Sequence, residues 1–178
     1  MKELMILSWI QTHLQSEIGD QTMMFVTALG DGGFIWIVLG LAFCSSRQYR
    51  KTGIMVLAAL LLGMILGNQI LKPLFERPRP FEVSQISLLI PPPGEYSFPS
   101  GHTTSSFAAA FVLLFRKDRM RFAALGLAAL VAFSRLYLYV HYPTDILGGI
   151  VLGGISAWLA IRCVNKIERY YLARLPLR

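Results

Sequence analysis

The sequence predicts an all-α fold: a polytopic transmembrane helix bundle of five to six spans with an N-terminal interfacial amphipathic helix. Of the 178 residues, 54% are hydrophobic and 15% are charged, whereas soluble domains are about 25% charged. Residues 54–71 form an uncharged run, long enough to cross a hydrocarbon core of about 30 Å. Basic clusters, glycines and prolines separate this run from further apolar segments. Residues 1–178 are therefore interpreted as a single integral membrane domain.

The first predicted element is an N-terminal helix. Apolar residues recur at helical spacing over residues 3–18, namely Leu7, Ile10, Leu14 and Ile18. The remaining positions are mostly polar, and an amphipathic helix of this kind lies in the membrane interface rather than across the bilayer. Residues 1–20 are therefore assigned to an interfacial helix. If this segment crosses the bilayer instead, the bundle has six spans.

Residues 27–165 are predicted to form the catalytic bundle. A glycine-rich turn at residues 30–33 leads into a first span that ends near Ser46, and a second span runs from about residue 52 to 71. Residues 72–99 are polar and rich in proline. Proline lacks a backbone donor and disrupts helices, so this segment is expected to lie outside the hydrocarbon region.

Three more spans complete the prediction: residues 100–115, about 122–140 and about 143–161. Residues 166–178 are assigned to a basic cytoplasmic tail. Two small-residue spacings, Gly63-x-x-x-Gly67 and Gly149-x-x-x-Gly153, predict close packing between helices and no catalytic role.

The distribution of basic residues predicts the orientation. Two loops and the tail hold 12 of the 17 Lys and Arg residues, and alternation of the spans places all three on one side. This set comprises Arg47, Arg50, Lys51, Arg116, Lys117, Arg119, Arg121, Arg162, Lys166, Arg169, Arg174 and Arg178. Basic residues favour the cytoplasmic side. We therefore expect a multi-pass protein of the cell (inner) membrane whose opposite face looks to the periplasm or the exterior.

The net charge of +7 does not indicate a nucleic-acid-binding protein. The bias of membrane proteins towards basic cytoplasmic loops accounts for it, and no basic patch is interleaved with aromatic residues. The two cysteines, Cys44 and Cys163, are too few for a disulfide framework or a zinc site. Both are expected to be buried, reduced thiols.

Three polar clusters fall at the outward ends of the predicted spans. The transfer of an ionisable group into the bilayer costs free energy, so such groups within a membrane-spanning segment indicate a functional site. The clusters consist of Lys72 with Arg79; Ser100, Gly101 and His102; and Arg135 with His141 and Asp145. Each has a structural alternative when taken singly, such as an interfacial anchor, a helix cap or a local capping pair. Their convergence on one face favours a common site.

These residue types fit a phosphate group. Lys72, Arg79 and Arg135 supply positive charge and hydrogen-bond donors for a tetrahedral anion. Ser100 and Gly101 open a helix, where backbone amides and the helix dipole favour an anion. The two histidines and the carboxylate can act as acid, base or nucleophile, and the pattern alone leaves open which histidine attacks. Nearby cations would repel a divalent ion, so neither a metal nor another cofactor is expected.

The three clusters resemble the signature of the type-2 phosphatidic acid phosphatase superfamily. The signature parts are K-x-x-x-x-x-x-R-P at residues 72–80, P-S-G-H at residues 99–102 and S-R-x-x-x-x-x-H-x-x-x-D at residues 134–145. They match at every defining position and in order, and the resemblance covers about residues 27–165. Membrane members often have six spans, whereas here the first is reduced to an interfacial helix.

The resemblance implies a role for each site residue. His141 is the nucleophile that forms a phosphohistidine, and Asp145 holds its ring in the reactive tautomer. His102 protonates the leaving lipid oxygen and then activates water. The phosphate oxygens are bound by Lys72, Arg79, Ser100, Gly101 and Arg135. The third histidine, His13, matches no motif and is interpreted as a surface residue.

The implied substrate is a lipid phosphate in the bilayer, of the undecaprenyl diphosphate, phosphatidylglycerol phosphate or phosphatidic acid type. Residues 81–98 are expected either to cover the site and guide the lipid chain or to serve as a passive connector. One alternative function is a lipid-binding or flipping membrane protein with a vestigial phosphatase site. The signature also occurs in vanadate-dependent haloperoxidases, but those resemble larger soluble proteins.

Overall fold

The computed structural model describes residues 2–172, and all of its regular elements are helical. They are α1 (Lys2–Leu14), α2 (Glu17–Gly30), α3 (Phe34–Ser45), α4 (Arg50–Met64), α5 (Lys72–Phe75), α6 (Pro80–Ser84), α7 (Gly101–Phe115), α8 (Arg121–Tyr137) and α9 (Pro143–Leu172). A 3₁₀ turn, Asp31–Gly33, joins α2 to α3, and a π-helical segment, Ile65–Leu71, joins α4 to α5.

The assignment of residues 1–20 to one helix is wrong. α1 ends at Leu14, and a second helix begins at Glu17 because Ser16 acts as its N-cap and accepts a hydrogen bond from the Gly19 amide. Leu7 and Ile10 of α1 are buried, whereas Leu14 at the end of α1 and Ile18 in α2 are exposed. The apolar stripe therefore belongs to two helices that meet at a break.

The π-helical segment delivers Lys72 to the site. The Lys72 amide donates to the Gly67 carbonyl, five residues earlier, where an α-helix would use the fourth. The longer turn changes the direction in which the following side chains point. Between α5 and the start of α7, the chain is irregular apart from α6, as the prolines predict.

The three predicted C-terminal spans correspond to α7, α8 and α9. Ser100 caps α7 by accepting a hydrogen bond from the Thr103 amide at 3.4 Å, and Pro143 is the first residue of α9. α9 extends to Leu172, well past the predicted end at Ile161, so the first part of the predicted tail is helical. Arg174 and Arg178 lie outside the described residues.

α7 lies at the centre of the bundle and packs against α4, α8 and α9. Its core face is formed by small and aliphatic side chains, namely Ala108, Ala109, Ala110, Val112 and Leu113. α9 approaches closely at Gly153, where an added Cβ would lie 2.8 Å from the Ala108 nitrogen. The prediction that the glycine spacing supports close helix packing is confirmed there.

Three helical stretches within the described residues are long and apolar enough to cross a membrane: Glu17–Ser45, Arg50–Ser84 and Pro143–Tyr171. Gly101–Phe115 is a shorter apolar helix. Both cysteines are free thiols, but Cys163 is exposed on the surface of the bundle, so the expectation that both are buried is wrong. Its neighbours Ile161 and Val164 pack against the core, so Cys163 lies on the outward face of α9.

Candidate active site

A cavity of about 680 Å³ lies at the end of the bundle where α7 begins. Six of the eight predicted site residues line it, namely Lys72, Arg79, Gly101, His102, Arg135 and His141. The other two, Ser100 and Asp145, are fully buried directly behind it. They are linked by a hydrogen bond from the Ser100 amide to the Asp145 carbonyl at 3.2 Å. The three sequence clusters thus form one site.

His141 lies in the short connection between α8 and α9. Its Nδ1 is 3.4 Å from Oδ2 of Asp145, and its Nε2 is 3.2 Å from a guanidinium nitrogen of Arg79. Because a carboxylate only accepts, Nδ1 carries the proton and Nε2 presents its lone pair. Burial lowers the pKa of His141 to about 3, so the ring is neutral at physiological pH. The unprotonated Nε2 accepts a hydrogen bond from Arg79, and such a neutral ring can act as a nucleophile once this hydrogen bond gives way to the phosphorus.

Arg79 is fixed by backbone oxygens. Its Nε donates to the Glu95 carbonyl at 2.7 Å, and one terminal nitrogen donates to the Val140 carbonyl at 2.9 Å. The side chain is 3% exposed. These contacts hold the guanidinium beside His141 without neutralising its charge, which remains for an anion.

Arg135 reaches the cavity from the last turn of α8. One terminal nitrogen donates to Thr27 Oγ1 on α2 at 2.5 Å, whereas Nε is buried and has no partner among the described residues. A buried donor without a partner is costly. Arg135 therefore brings to the cavity a guanidinium whose hydrogen-bond donors are only partly used.

Lys72 is buried and forms an ion pair with Glu95, which sequence analysis did not single out. Glu95 lies on the irregular segment before α7, and 61% of its side chain is exposed. Its carboxylate is a negative group at the cavity and occupies a position on Lys72 that a phosphate could take.

Ser100 and Gly101 begin α7 beside Lys72. An added Cβ at Gly101 would lie 3.9 Å from the Lys72 Nζ, so the glycine backbone faces the ammonium group. Ser100 Oγ accepts hydrogen bonds from the amide and the hydroxyl of Thr103. Its hydroxyl therefore caps α7, which is the structural role that the sequence suggested for Ser100 as an alternative to phosphate binding.

Two further side chains missed by sequence analysis hold Asp145. Arg77 donates to Oδ1 at 2.5 Å, and Ser97 Oγ donates to Oδ2 at 2.5 Å. Arg77 also bonds Glu3 of α1 at 2.7 Å. One feature of the sequence indicated that Arg77 belongs to the site, namely its position between Lys72 and Arg79. The pattern of residues 77–97 contains no periodicity from which the course of the backbone could be predicted.

One wall of the cavity is apolar. It is formed by side chains of α3 and the end of α4, namely Ile37, Leu57, Leu60, Leu61 and Met64. Of the segment 81–98, residues 93–95 line the cavity, whereas Leu88 and Ile90 pack against Tyr137 and Leu138. The segment therefore covers the polar end of the cavity, while the two bundle helices supply the apolar wall.

Comparison with known proteins identifies the family of the chain. Residues 52–169 match the profile of the PAP2 superfamily. The chain is 30% identical to the undecaprenyl-diphosphatase BcrC of Bacillus subtilis, over 85% of this chain and 78% of BcrC.

Two crystal structures show the same fold. Aquifex aeolicus LpxE superposes with a TM-score of 0.79 at 25% identity, over 91% of this chain and 96% of LpxE. A PAP2-type phosphatidylglycerolphosphate phosphatase from Bacillus subtilis superposes with a TM-score of 0.72 at 25% identity, over 99% of this chain and 88% of that protein.

Proposed function

Because the chain belongs to the PAP2 superfamily, we propose that it is a membrane lipid phosphatase that hydrolyses undecaprenyl diphosphate. The observation that carries the proposal is one cavity with three buried cations and two histidines at its polar end and aliphatic side chains along its wall. The cations suit a phosphate, and the aliphatic wall suits the chain attached to it.

The choice of lipid rests on the relatives. BcrC is named for undecaprenyl diphosphate, and one structural neighbour is named for phosphatidylglycerol phosphate. The apolar wall on α3 and α4 is compatible with either chain. Phosphatidylglycerol phosphate is therefore the second candidate, and phosphatidic acid is the third.

We infer a covalent mechanism in which His141 Nε2 attacks phosphorus. The new N–P bond forms as the P–O bond to the lipid breaks, and His102 donates a proton to the departing oxygen. Asp145 accepts the Nδ1 proton of His141 in a hydrogen bond and stabilises the positive charge that develops on the ring. From undecaprenyl diphosphate the leaving group is undecaprenyl monophosphate, which departs through the bridging oxygen, and a phosphohistidine remains.

Water then resolves the phosphohistidine. His102, now neutral, accepts a proton from water as the water oxygen bonds to phosphorus, and the N–P bond to His141 breaks. Inorganic phosphate is released, and His102 is protonated again for the next cycle. One water molecule is consumed per phosphate, and both histidines return to their starting states.

Lys72, Arg79 and Arg135 neutralise the charge on the transferring phosphoryl group, with the Ser100 hydroxyl and the Gly101 amide as further donors. Because these groups would supply the positive charge and the hydrogen-bond donors that a phosphate needs, we propose that the reaction requires no divalent metal ion.

We further propose five spans with α1 in the interface, and a site that faces the periplasm or the exterior of the cell membrane. The site lies at the start of α7, and the basic residues 116–121 lie beyond its other end. Translocation of three basic segments would oppose the reverse orientation.

The alternative, a lipid-binding or flipping protein with a vestigial site, requires no reactive nucleophile. The phosphatase proposal is supported by His141 and His102, which both line the cavity, and by the hydrogen bond between His141 Nδ1 and Asp145, which leaves Nε2 unprotonated.

Phosphate release from the purified full-length protein in detergent tests the proposal. The substrates are undecaprenyl diphosphate, phosphatidylglycerol phosphate and phosphatidic acid, each assayed with and without EDTA. We expect the highest kcat/KM with undecaprenyl diphosphate and the same rates in EDTA. Turnover that vanishes in EDTA and returns with Mg²⁺ would contradict metal independence.

Two histidine variants distinguish a catalytic from a binding protein. We expect His141→Ala to lower kcat by about a thousandfold or more, because covalent catalysis is removed. His13→Ala removes the exposed histidine of α1 and should leave kcat unchanged. Lipid binding without phosphate release by the wild type, or full activity in a folded His141→Ala protein, would favour the alternative.

A further inference from the structure

The turn between α2 and α3 has the sequence Gly30-Asp31-Gly32-Gly33, and none of its residues belongs to the three phosphatase motifs. Gly32 and Gly33 adopt left-handed conformations with φ of 57° and 74°, which are strained for other residues. At Gly30, an added Cβ would lie 2.9 Å from Cδ2 of His102. The turn is therefore shaped to approach the His102 ring closely.

This turn presents Asp31 to His102. Oδ1 of Asp31 lies 2.7 Å from Nε2 of His102, within normal hydrogen-bond distance. The Asp31 side chain is 68% exposed, whereas that of His102 is 18% exposed. The other ring nitrogen, Nδ1, has no hydrogen-bond partner in the described part of the chain. Asp31 thus holds the His102 ring at Nε2, and Nδ1 is available for another hydrogen bond.

We propose that Asp31 is a positioning residue for His102 and acts through it on the leaving group. The inference rests on the proposed function, in which His102 is the general acid. With its carboxylate on Nε2, Asp31 fixes the ring orientation, stabilises the imidazolium and leaves the Nδ1 proton for the departing oxygen. This arrangement parallels that of His141, whose ring is held by Asp145. Both histidines of the site, His102 and His141, are then hydrogen-bonded to a carboxylate of their own.

The role predicts an effect that depends on the leaving group. An alkoxide is a poor leaving group and needs a proton in the transition state, whereas p-nitrophenolate departs with little protonation. Loss of the general acid therefore slows hydrolysis of an alkyl phosphate far more than that of an aryl phosphate. Mere damage to the fold slows both equally.

The test compares Asp31→Asn with the wild type on lysophosphatidic acid and on p-nitrophenyl phosphate. We expect kcat for the alkyl ester to fall by about 10- to 100-fold, part of the usual contribution of a general acid. KM for the alkyl ester and kcat for the aryl ester should stay within about twofold of the wild type, because the phosphate ligands and nucleophile are intact. Glu17→Gln, which removes an exposed carboxylate from the start of α2, should change neither rate.

A double-mutant cycle on the alkyl ester completes the test. Asp31→Asn should have no further effect in a His102→Ala background, because a positioning residue acts only through its partner. Equal losses on both esters, additive losses in the cycle, or a faster Asp31→Asn enzyme would overturn the inference. If His141→Ala is inactive while His102→Ala is fully active, the phosphatase proposal stands and the role of Asp31 fails.

Discussion

Among single residues, Glu95 carries a negative charge that competes with the phosphate of the proposed substrate. Its carboxylate pairs with Lys72, and its backbone carbonyl binds Arg79. An incoming phosphate must displace the carboxylate before it reaches Lys72. The hydrogen bond from Lys72 holds the pKa of Glu95 below its ordinary value, so the competing anion is fully ionised at neutral pH.

We predict that Glu95→Gln lowers KM and the inhibition constant of inorganic phosphate by up to about fivefold, the scale of a partly exposed ion pair. The pair exists above the lowered pKa of Glu95 and is lost as the pH falls through it. The ratio of wild-type to variant inhibition constants should therefore approach one at low pH. Phosphate inhibition measured at a series of pH values checks this.

Glu76→Gln is the matched control, because Glu76 is exposed on the same segment. It should leave the inhibition constant unchanged at every pH. Weaker phosphate binding in Glu95→Gln would mean that Glu95 supports the phosphate site instead of competing with it.

The eight site residues that the sequence motifs predict lie close together in the structure. The sequence did not predict the residues that hold them. Asp145 accepts hydrogen bonds from Arg77, Ser97, His141 and the Tyr142 amide. Arg77 and Ser97 come from an irregular segment whose path follows from tertiary contacts rather than from periodicity. Asp31 was overlooked because its glycine-rich neighbours account for a turn without any catalytic role.

At the scale of helices, terminal residues were the reliable predictors. Ser100 caps α7 and Pro143 begins α9, because both residue types satisfy or avoid the free amides of a first turn. The break between α1 and α2 was missed, although Ser16 with Glu17 and Gly19 carries the corresponding cap. The apolar spacing across that break masked it, since two successive helices can continue one stripe.

The contact between α7 and α9 yields a stability prediction. Gly153→Ala would place Cβ 2.8 Å from the Ala108 nitrogen and 2.9 Å from the Thr104 carbonyl oxygen, so the helices must separate. We expect the free energy of unfolding to fall by about 1–3 kcal/mol, the usual cost of overpacking. Thermal unfolding in detergent measures the change.

Gly126→Ala provides the matched control on α8, because no atom lies within 4 Å of an added Cβ there. It should leave stability unchanged or raise it by up to about 1 kcal/mol, through the higher helix propensity of alanine. Equal effects of the two substitutions would show that propensity, rather than helix contact, governs both positions.

At the scale of the whole molecule, the site and the basic loop occupy opposite ends of α7. We predict that a membrane-impermeant maleimide labels Leu89→Cys on intact cells and spares Met120→Cys. Both positions are exposed in the structure. The background is a Cys44→Ser/Cys163→Ser variant, which removes the two native thiols.

Permeabilised cells supply the control, because both cysteines should then react. Labelling of Met120→Cys but not Leu89→Cys on intact cells would reverse the orientation. Phosphatase activity of each variant verifies that the substitutions leave the fold intact.

The buried guanidinium of Arg135 has a consequence for biogenesis. Within residues 2–172, α8 is not among the helical stretches that are long and apolar enough to cross a membrane. Its neighbours in sequence differ, because α9 forms one of those stretches and α7 is a shorter apolar helix. An arginine in a membrane-spanning helix raises the free energy of membrane insertion, by about 2.5–3.5 kcal/mol at the helix centre and by less in the last turn, where Arg135 lies. Its Thr27 partner lies on α2, which the ribosome makes more than 100 residues earlier. If α8 crosses the bilayer as proposed, we expect it to insert cooperatively, packed against helices that are already in the membrane.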